Sequence, residues 1–308
     1  MNGGAGERLE VDHATWAGPA LEALRTAFDA TGLRSDYGGP HANGVTHMAV
    51  VGFPDGSYLE LIAPREPGTA SPIWEAAMRT DAGPAAWAVR TDRIDREVER
   101  LRSAGVPVRG PEPWTRETPE GRTAAWELAF PGEGEPGSVL PFLIEDRTPR
   151  RWRTRPTRGI ERTGVAGLGQ VVLVVRDAAA ADATLRRAYG WGAPVEVGAP
   201  AFGARVSRFE GTPACVAEPL RSPPPADLSP TRGAALRAPG VPGESVRRLQ
   251  ARLEAIGPAP AAFLLRLDDR DAADRALPLG AEEPWPGGTV RWLESEGLGT
   301  RRLGVLWT

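Results

Sequence analysis

The hydrophobic and polar positions of this chain fall into one pattern that returns four times. Each return opens on a dense apolar run of strand type and passes through a stretch with apolar residues three and four apart. It then closes on further short runs bounded by Pro, Gly and Asp. The first begins Val11-Asp12-His13-Ala14-Thr15-Trp16 and closes on Ser57-Tyr58-Leu59-Glu60-Leu61-Ile62. The second runs from Ala85-Ala86-Trp87-Ala88-Val89-Arg90 to Pro141-Phe142-Leu143-Ile144-Glu145. The third starts at Gly169-Gln170-Val171-Val172-Leu173-Val174 and reaches Ala214-Cys215-Val216-Ala217-Glu218, and the fourth spans Ala262-Phe263-Leu264-Leu265 to Val305-Leu306-Trp307. Such self-similarity predicts an architecture assembled from one repeated supersecondary unit.

Within the units the helical spacing is specific. Leu21, Leu24 and Phe28 predict a helix over Ala20 to Ala30, stopped at Gly32. Ile94, Val98 and Leu101 predict a second that ends before Gly105, with Asp92 expected as its N-cap. A third is expected over Ala178 to Tyr189, between Asp177 and Gly190, and a short fourth over Asp271 to Leu277, ended by Pro278. Turn signals such as Pro54-Asp55-Gly56 separate the strands. Each unit therefore reads strand–helix–strand–strand–strand, an α+β class in which two units share a curved mixed sheet with helices outside. The expected organisation is a first domain over 8–146, an arginine-rich linker over 147–164, and a second domain over 165–308 with a proline-rich insertion at 221–243. The linker carries Arg147, Arg150, Arg151, Arg153, Arg155, Arg158 and Arg162, and an anion or partner site is its alternative reading. The insertion leads into a helix with Val246, Leu249 and Leu253 on one face.

Composition narrows the function classes. A chain of 308 residues accommodates two domains of about 150 residues, as the repeats require. The net charge of −3 and pI near 5.8 argue against a nucleic-acid or anionic-membrane binder. There is no lysine, which excludes Schiff-base chemistry on the chain. The single Cys215 excludes an internal disulfide and a cysteine-rich zinc site. Met1 to Glu10 lacks a signal-peptide pattern, and no run reaches the roughly 20 apolar residues of a membrane span, so a cytoplasmic location is expected.

The repeats, with Val11-Asp12-His13, His41 to Ala49, Tyr58 to Ile62 and Leu140 to Glu145, resemble the vicinal oxygen chelate superfamily of glyoxalases, extradiol dioxygenases and bleomycin-resistance proteins. Over roughly residues 8–150 the chain is similar to its glyoxalase-like domain family. The resemblance implies cupped sheets of paired βαβββ modules, with the first and fourth strands of a module pointing ligands into the cup. It implies His13 and Glu60 as metal ligands, and Glu145 as a ligand, a catalytic base or both, with Glu60 sharing the catalytic role. The second module's first strand offers only Ala85, Ala86 and Trp87 where another ligand belongs, and His47 is the candidate to replace it.

A histidine and two carboxylates suit Fe, Mn, Ni, Co or Zn with positions open for substrate. Such an ion would polarise vicinal oxygens of a small organic substrate in lyase, isomerase or dioxygenase chemistry. His41 is expected at the cup mouth, and Trp16 and Trp87 in the core or against substrate. The alternative is a metal-free protein that sequesters a small molecule, as bleomycin-resistance members do, with no cofactor required. Glu60 would point to solvent instead if Leu59 and Leu61 turn inward. The expected partner is a small molecule, with neither nucleic acid nor membrane, for a monomer or homodimer. In the second half Gln170 stands in place of the first-strand histidine and only Glu218 remains, so a structural or metal-free role is expected there.

Overall fold

The computed structural model describes residues 9–118, 120–221, 242–300 and 302–307, and in them the four repeats form four βαβββ modules. The first is β1 (Glu10–Ala17), α1 (Leu21–Asp29), β2 (Asp36–Pro40), β3 (Thr46–Gly52) and β4 (Tyr58–Pro64). A short helix absent from the sequence reading, α2 (Glu75–Arg79), leads to β5 (Gly83–Arg90), α3 (Ile94–Ser103), β6 (Val108–Glu117), β7 (Thr123–Pro131) and β8 (Phe142–Asp146). The third module is β9 (Val165–Val174), α4 (Ala178–Tyr189), β10 (Val195–Ala199), β11 (Ala204–Arg208) and β12 (Ala214–Pro219). After α5 (Pro242–Ile256) comes the fourth, β13 (Ala259–Leu267), α6 (Arg270–Ala276), β14 (Leu279–Trp285), β15 (Gly288–Leu293) and β16 (Leu303–Trp307). Most of the proline-rich insertion, 222–241, lies outside the described residues.

Two eight-stranded mixed sheets result, with the same topology: β2-β3-β4-β1-β5-β8-β7-β6 and β10-β11-β12-β9-β13-β16-β15-β14. In each, the first strand of a module pairs parallel with its fourth, and the two modules join through antiparallel first strands, β1 with β5 and β9 with β13. Each sheet curls into a half-barrel, which is the α+β architecture the repeats predict. The central strands are buried along both faces, and those of the first sheet carry His13, Thr15 and Glu60 among their apolar residues. One face of β1 and β4 presents Ala14, Trp16, Leu59 and Leu61 to a core shared with the second sheet and with α1, α3 and α4. Trp16 meets Phe28 edge-on at 5.1 Å and stands 6.4 Å from Phe263 of the second sheet. The two half-barrels thus sit back to back, and their concave faces open away from each other.

Local chemistry fixes the helix ends. The Asp177 carboxylate accepts from Ala180 N–H at 3.0 Å and starts α4, and Gly190 ends it in the left-handed region at φ +66°. The start of α3 departs from expectation. Asp92 does not cap it; the Ile94 N–H donates to Glu145 Oε2 at 2.7 Å, from the neighbouring strand β8.

The arginine-rich stretch is bound to the first sheet. Thr157 N–H donates to Gly52 O at 3.0 Å and Gly52 N–H to Thr157 Oγ1 at 2.9 Å. A Cβ on Gly52 would collide with the Arg155 carbonyl, so only glycine lets the strand and the stretch meet. The two sheets are also joined by Arg252 of α5, which donates to the carbonyls of Ala82 and Pro84 on one side and Pro260 on the other. Burial, with Arg302 and Arg248 nearby, pushes its pKa down to about 9. Arg252→Leu leaves three carbonyls without a charged donor. It should lower stability by about 1–3 kcal/mol, read from denaturant unfolding, with Arg252→Lys recovering part.

The second concave face is filled by the chain itself. Leu249 and Leu253 of α5 pack there against Phe202, Trp285, Trp292 and Val172. Phe202 stacks on Trp292 at 5.6 Å, and Trp285 Nε1–H donates to Gln170 Oε1 at 2.7 Å. The residue expected in place of the first-strand histidine therefore serves an internal hydrogen bond. Burial raises the Cys215 thiol pKa, which keeps it inert.

Candidate functional site

Among the described residues only the first half-barrel keeps an open cup, and strand parity decides what enters it. On β1 the side chains of His13, Thr15 and Ala17 turn inward, and on β4 those of Tyr58, Glu60 and Ile62; the intervening residues join the shared core. His13 stacks on Tyr58 with ring centroids 4.7 Å apart and meets Phe142 edge-on at 5.2 Å. Its Nδ1–H donates to Asp12 Oδ1 at 2.7 Å, which fixes the ring. Glu60, 7% exposed, accepts from Thr15 Oγ1 at 3.1 Å and from His41 Nε2 at 3.2 Å. His41 Nδ1 lies 2.8 Å from Thr46 Oγ1, and Asn43 holds Thr46 by accepting its N–H at 3.2 Å. Burial alone would raise the Glu60 pKa; the hydrogen bond and charge of His41, with His13 and Thr15, bring it down to about 2.

Beneath His13 lies an ionic floor. Asp12 is fully buried and receives both Nη groups of Arg153, at 2.9 and 3.0 Å, and one from Arg150. Arg153 also donates to Asp146 at 2.7 and 2.9 Å and to the Tyr58 hydroxyl at 2.9 Å. Burial opposes the charge on Asp12, but Arg153 and His13 outweigh it and hold the carboxyl well below the usual range. Burial, only partly offset by Arg153, raises the Tyr58 hydroxyl. A second arginine, Arg116 of β6, lines the cup with no carboxylate partner among the described residues.

The far wall belongs to the second module and is apolar. Trp114, Trp126, Leu128, Phe130, Phe142 and Ile144 form it, and Trp74 closes one side. The cavity between the walls is narrow, about 70 Å³. That is room for a few waters, and about half the roughly 150 Å³ of a cavity that binds benzene, so a ring can occupy it only by extending toward the mouth.

The structure brings together His13, Glu60 and His41 of the expected residues and separates the others. Glu145 shares the Leu143 face of β8, away from the cup, where it caps α3 and accepts from Arg147 Nη1 at 2.5 Å. His47 lies on the opposite face of β3 from Met48, with its ring edge-on to Tyr37 at 6.1 Å; burial and Arg65 lower its pKa. Trp16 and Trp87 are in the shared core, and Trp87 Nε1–H donates to Val139 O at 3.3 Å. Tyr58 and Arg116 were not among the expected site residues, and Arg153 was expected only as part of the arginine-rich linker. Tyr58 was within reach, because it is two residues from Glu60 on the same strand face.

These positions test whether a metal held by protein donors fits. The second module turns Ala86, Ala88, Phe142 and Ile144 into the cup, and neither Glu145 nor His47, the ligands expected there, enters it. Among the described residues no three His, Cys, Asp or Glu side chains form a group that could hold an ion. A resident metal of that kind does not fit.

The paired modules and the cup are those of the vicinal oxygen chelate superfamily. The sequence profile of the glyoxalase-like domain matches residues 11–189, more than half of the chain, and the protein belongs to that family. No curated protein matches the sequence. Among solved structures, a triple mutant of 4-hydroxymandelate synthase from Streptomyces coelicolor is similar at 13% identity and TM-score 0.55, covering 97% of this chain and 91% of that one. The Mn(II)-bound glyoxalase from Novosphingobium aromaticivorans is similar at 10% identity and TM-score 0.52, covering 98% and 88%. A hypothetical protein from Staphylococcus aureus shares 15% identity at TM-score 0.51, covering 68% and 86%. At these identities the likeness is one of fold. Among the described residues no helix is long and apolar enough to cross a membrane.

Proposed function

We propose that the first cup binds a small, single-ring organic molecule and does so without a resident metal. The observation that carries this reading is the division of the cup's lining. The second module contributes an aromatic and aliphatic wall, and the first contributes His13, His41, Glu60 and the Tyr58 hydroxyl. An apolar surface with a few convergent polar groups is the common form of a small-molecule site. The narrow volume limits the occupant to about one ring. The structural neighbours named for acting on or binding small molecules, a synthase and a Mn(II)-bound glyoxalase, agree with a small-molecule site on this fold.

A proton-transfer enzyme is the second reading, and the Thr46–His41–Glu60 chain favours it. Its weakness is the Glu60 pKa of about 2. An efficient general base has a pKa near the working pH, so this carboxylate suits orienting a donor on the ligand better than accepting a proton.

Trp74, Trp114 and Trp126 line the cup and report on it. Titration of the intact chain with single-ring aromatics should give a saturable change in tryptophan fluorescence. Leu128→Trp, which fills the cavity, should abolish it while leaving the circular dichroism spectrum intact. A panel of such compounds that produces no saturable change in the wild type would refute the reading.

A further inference from the structure

We propose that the molecule held in the first cup is a carboxylate, and that Arg116 receives its anionic end. The inference rests on the binding reading and narrows it to a chemical class.

Arg116 is 6% exposed and lies on the same face of β6 as Trp114. It occupies the seam where the two edge strands of the sheet, β2 and β6, approach each other. Gly38 of β2 leaves the space: a Cβ there would stand 2.8 Å from the Met48 methyl and 3.3 Å from Arg116 Nη1. Of the five N–H donors of a guanidinium, two find protein acceptors. Nη2 donates to the Arg153 carbonyl at 2.9 Å, and Nη1 to the Met48 sulfur at 3.1 Å, a weak acceptor. Nε is buried with no partner.

The contrast with Arg153 is instructive. Arg153 is as buried, yet it holds Asp12 and Asp146 together. Arg116 forms no ion pair among the described residues, and Tyr58 and Glu60 act on it only through space. Glu60 is not free to move in, because Thr15 and His41 hold its two oxygens. A guanidinium stays charged in a protein, and a buried charge without a counter-ion is costly. A planar carboxylate matches its fork in two parallel hydrogen bonds. Trp114 and Trp126 are cross-strand partners beside it and would face the attached ring. The geometry therefore fits an aryl or arylalkyl carboxylate.

Benzoate and phenylacetate, with their neutral counterparts benzamide and phenylacetamide, test this by calorimetry on the intact chain. The carboxylates should bind about 10-fold or more tightly than the amides. Arg116→Gln should erase that preference, and Arg116→Lys should keep part of it. Equal affinity for acids and amides in the wild type overturns the proposal, as does a preference that survives in Arg116→Gln. Should Arg116→Gln fail to fold, the wild-type pairs and Arg116→Lys decide. Binding of none of the four would instead refute the binding reading itself, and this inference with it.

Discussion

Asp12→Ala should lower the free energy of unfolding by about 3–5 kcal/mol, the range for removing one partner of a buried ion pair. Asp12 has no exposure, and the Arg153 side chain is 3% exposed. The variant leaves Arg153 with Asp146 alone and leaves Arg150 without one of its carboxylates. The His13 ring also loses the acceptor that orients it. Because part of this loss is the cost of an uncompensated charge, Asp12→Ala/Arg153→Met should recover some of it. Denaturant unfolding followed by circular dichroism measures both. A single variant within about 1 kcal/mol of wild type would mean that the floor of the cup does not depend on the pair.

The second large effect is acid sensitivity centred on Glu60. Its pKa in the folded protein is about 2, against an ordinary value of 4.5. A depressed carboxylate stabilises the fold above its unfolded pKa, and that contribution disappears as the pH falls from about 4.5 toward 2. The difference corresponds to about 3 kcal/mol. Glu60→Gln should therefore be less stable than wild type at pH 7, and the two stability curves should converge as the pH approaches 2. Parallel curves from pH 7 to pH 2 would show that His41 and Thr15 do not hold the carboxylate as described.

Much of the fold was legible because hydrophobic period is a strong signal in a repeated unit. Leu21, Leu24 and Phe28, joined by Ala27, and the set Ile94, Val98 and Leu101 are the buried residues of their helices. The site was legible only where parity along a strand could be carried from one residue to the next. Once His13 faces the cup, Thr15 must as well, and Trp16 must turn to the other face. The same rule places Tyr58 with Glu60 and sends Leu59 and Leu61 outward. It fails for β8, where Leu143 and Glu145 share one face and Phe142 and Ile144 the other, and both faces are buried. There the deciding fact was the Ile94 N–H, which needs an acceptor at the start of α3, and Glu145 supplies it. Arg153 was legible only as one arginine of a basic linker with an anion or partner site as its alternative, because the charge it neutralises, Asp12, lies 141 residues away. The occlusion of the second cup by α5 likewise depends on long-range packing that local pattern does not encode.

In the proposed site the first cup binds its ligand through this chain's own side chains. The most direct measurement is calorimetric titration of benzoate into the protein before and after exhaustive treatment with a chelator. The dissociation constant should be the same in both, and adding Mn(II) should not change it. Binding that vanishes on chelation and returns with one equivalent of Mn(II) would contradict a site without a resident metal.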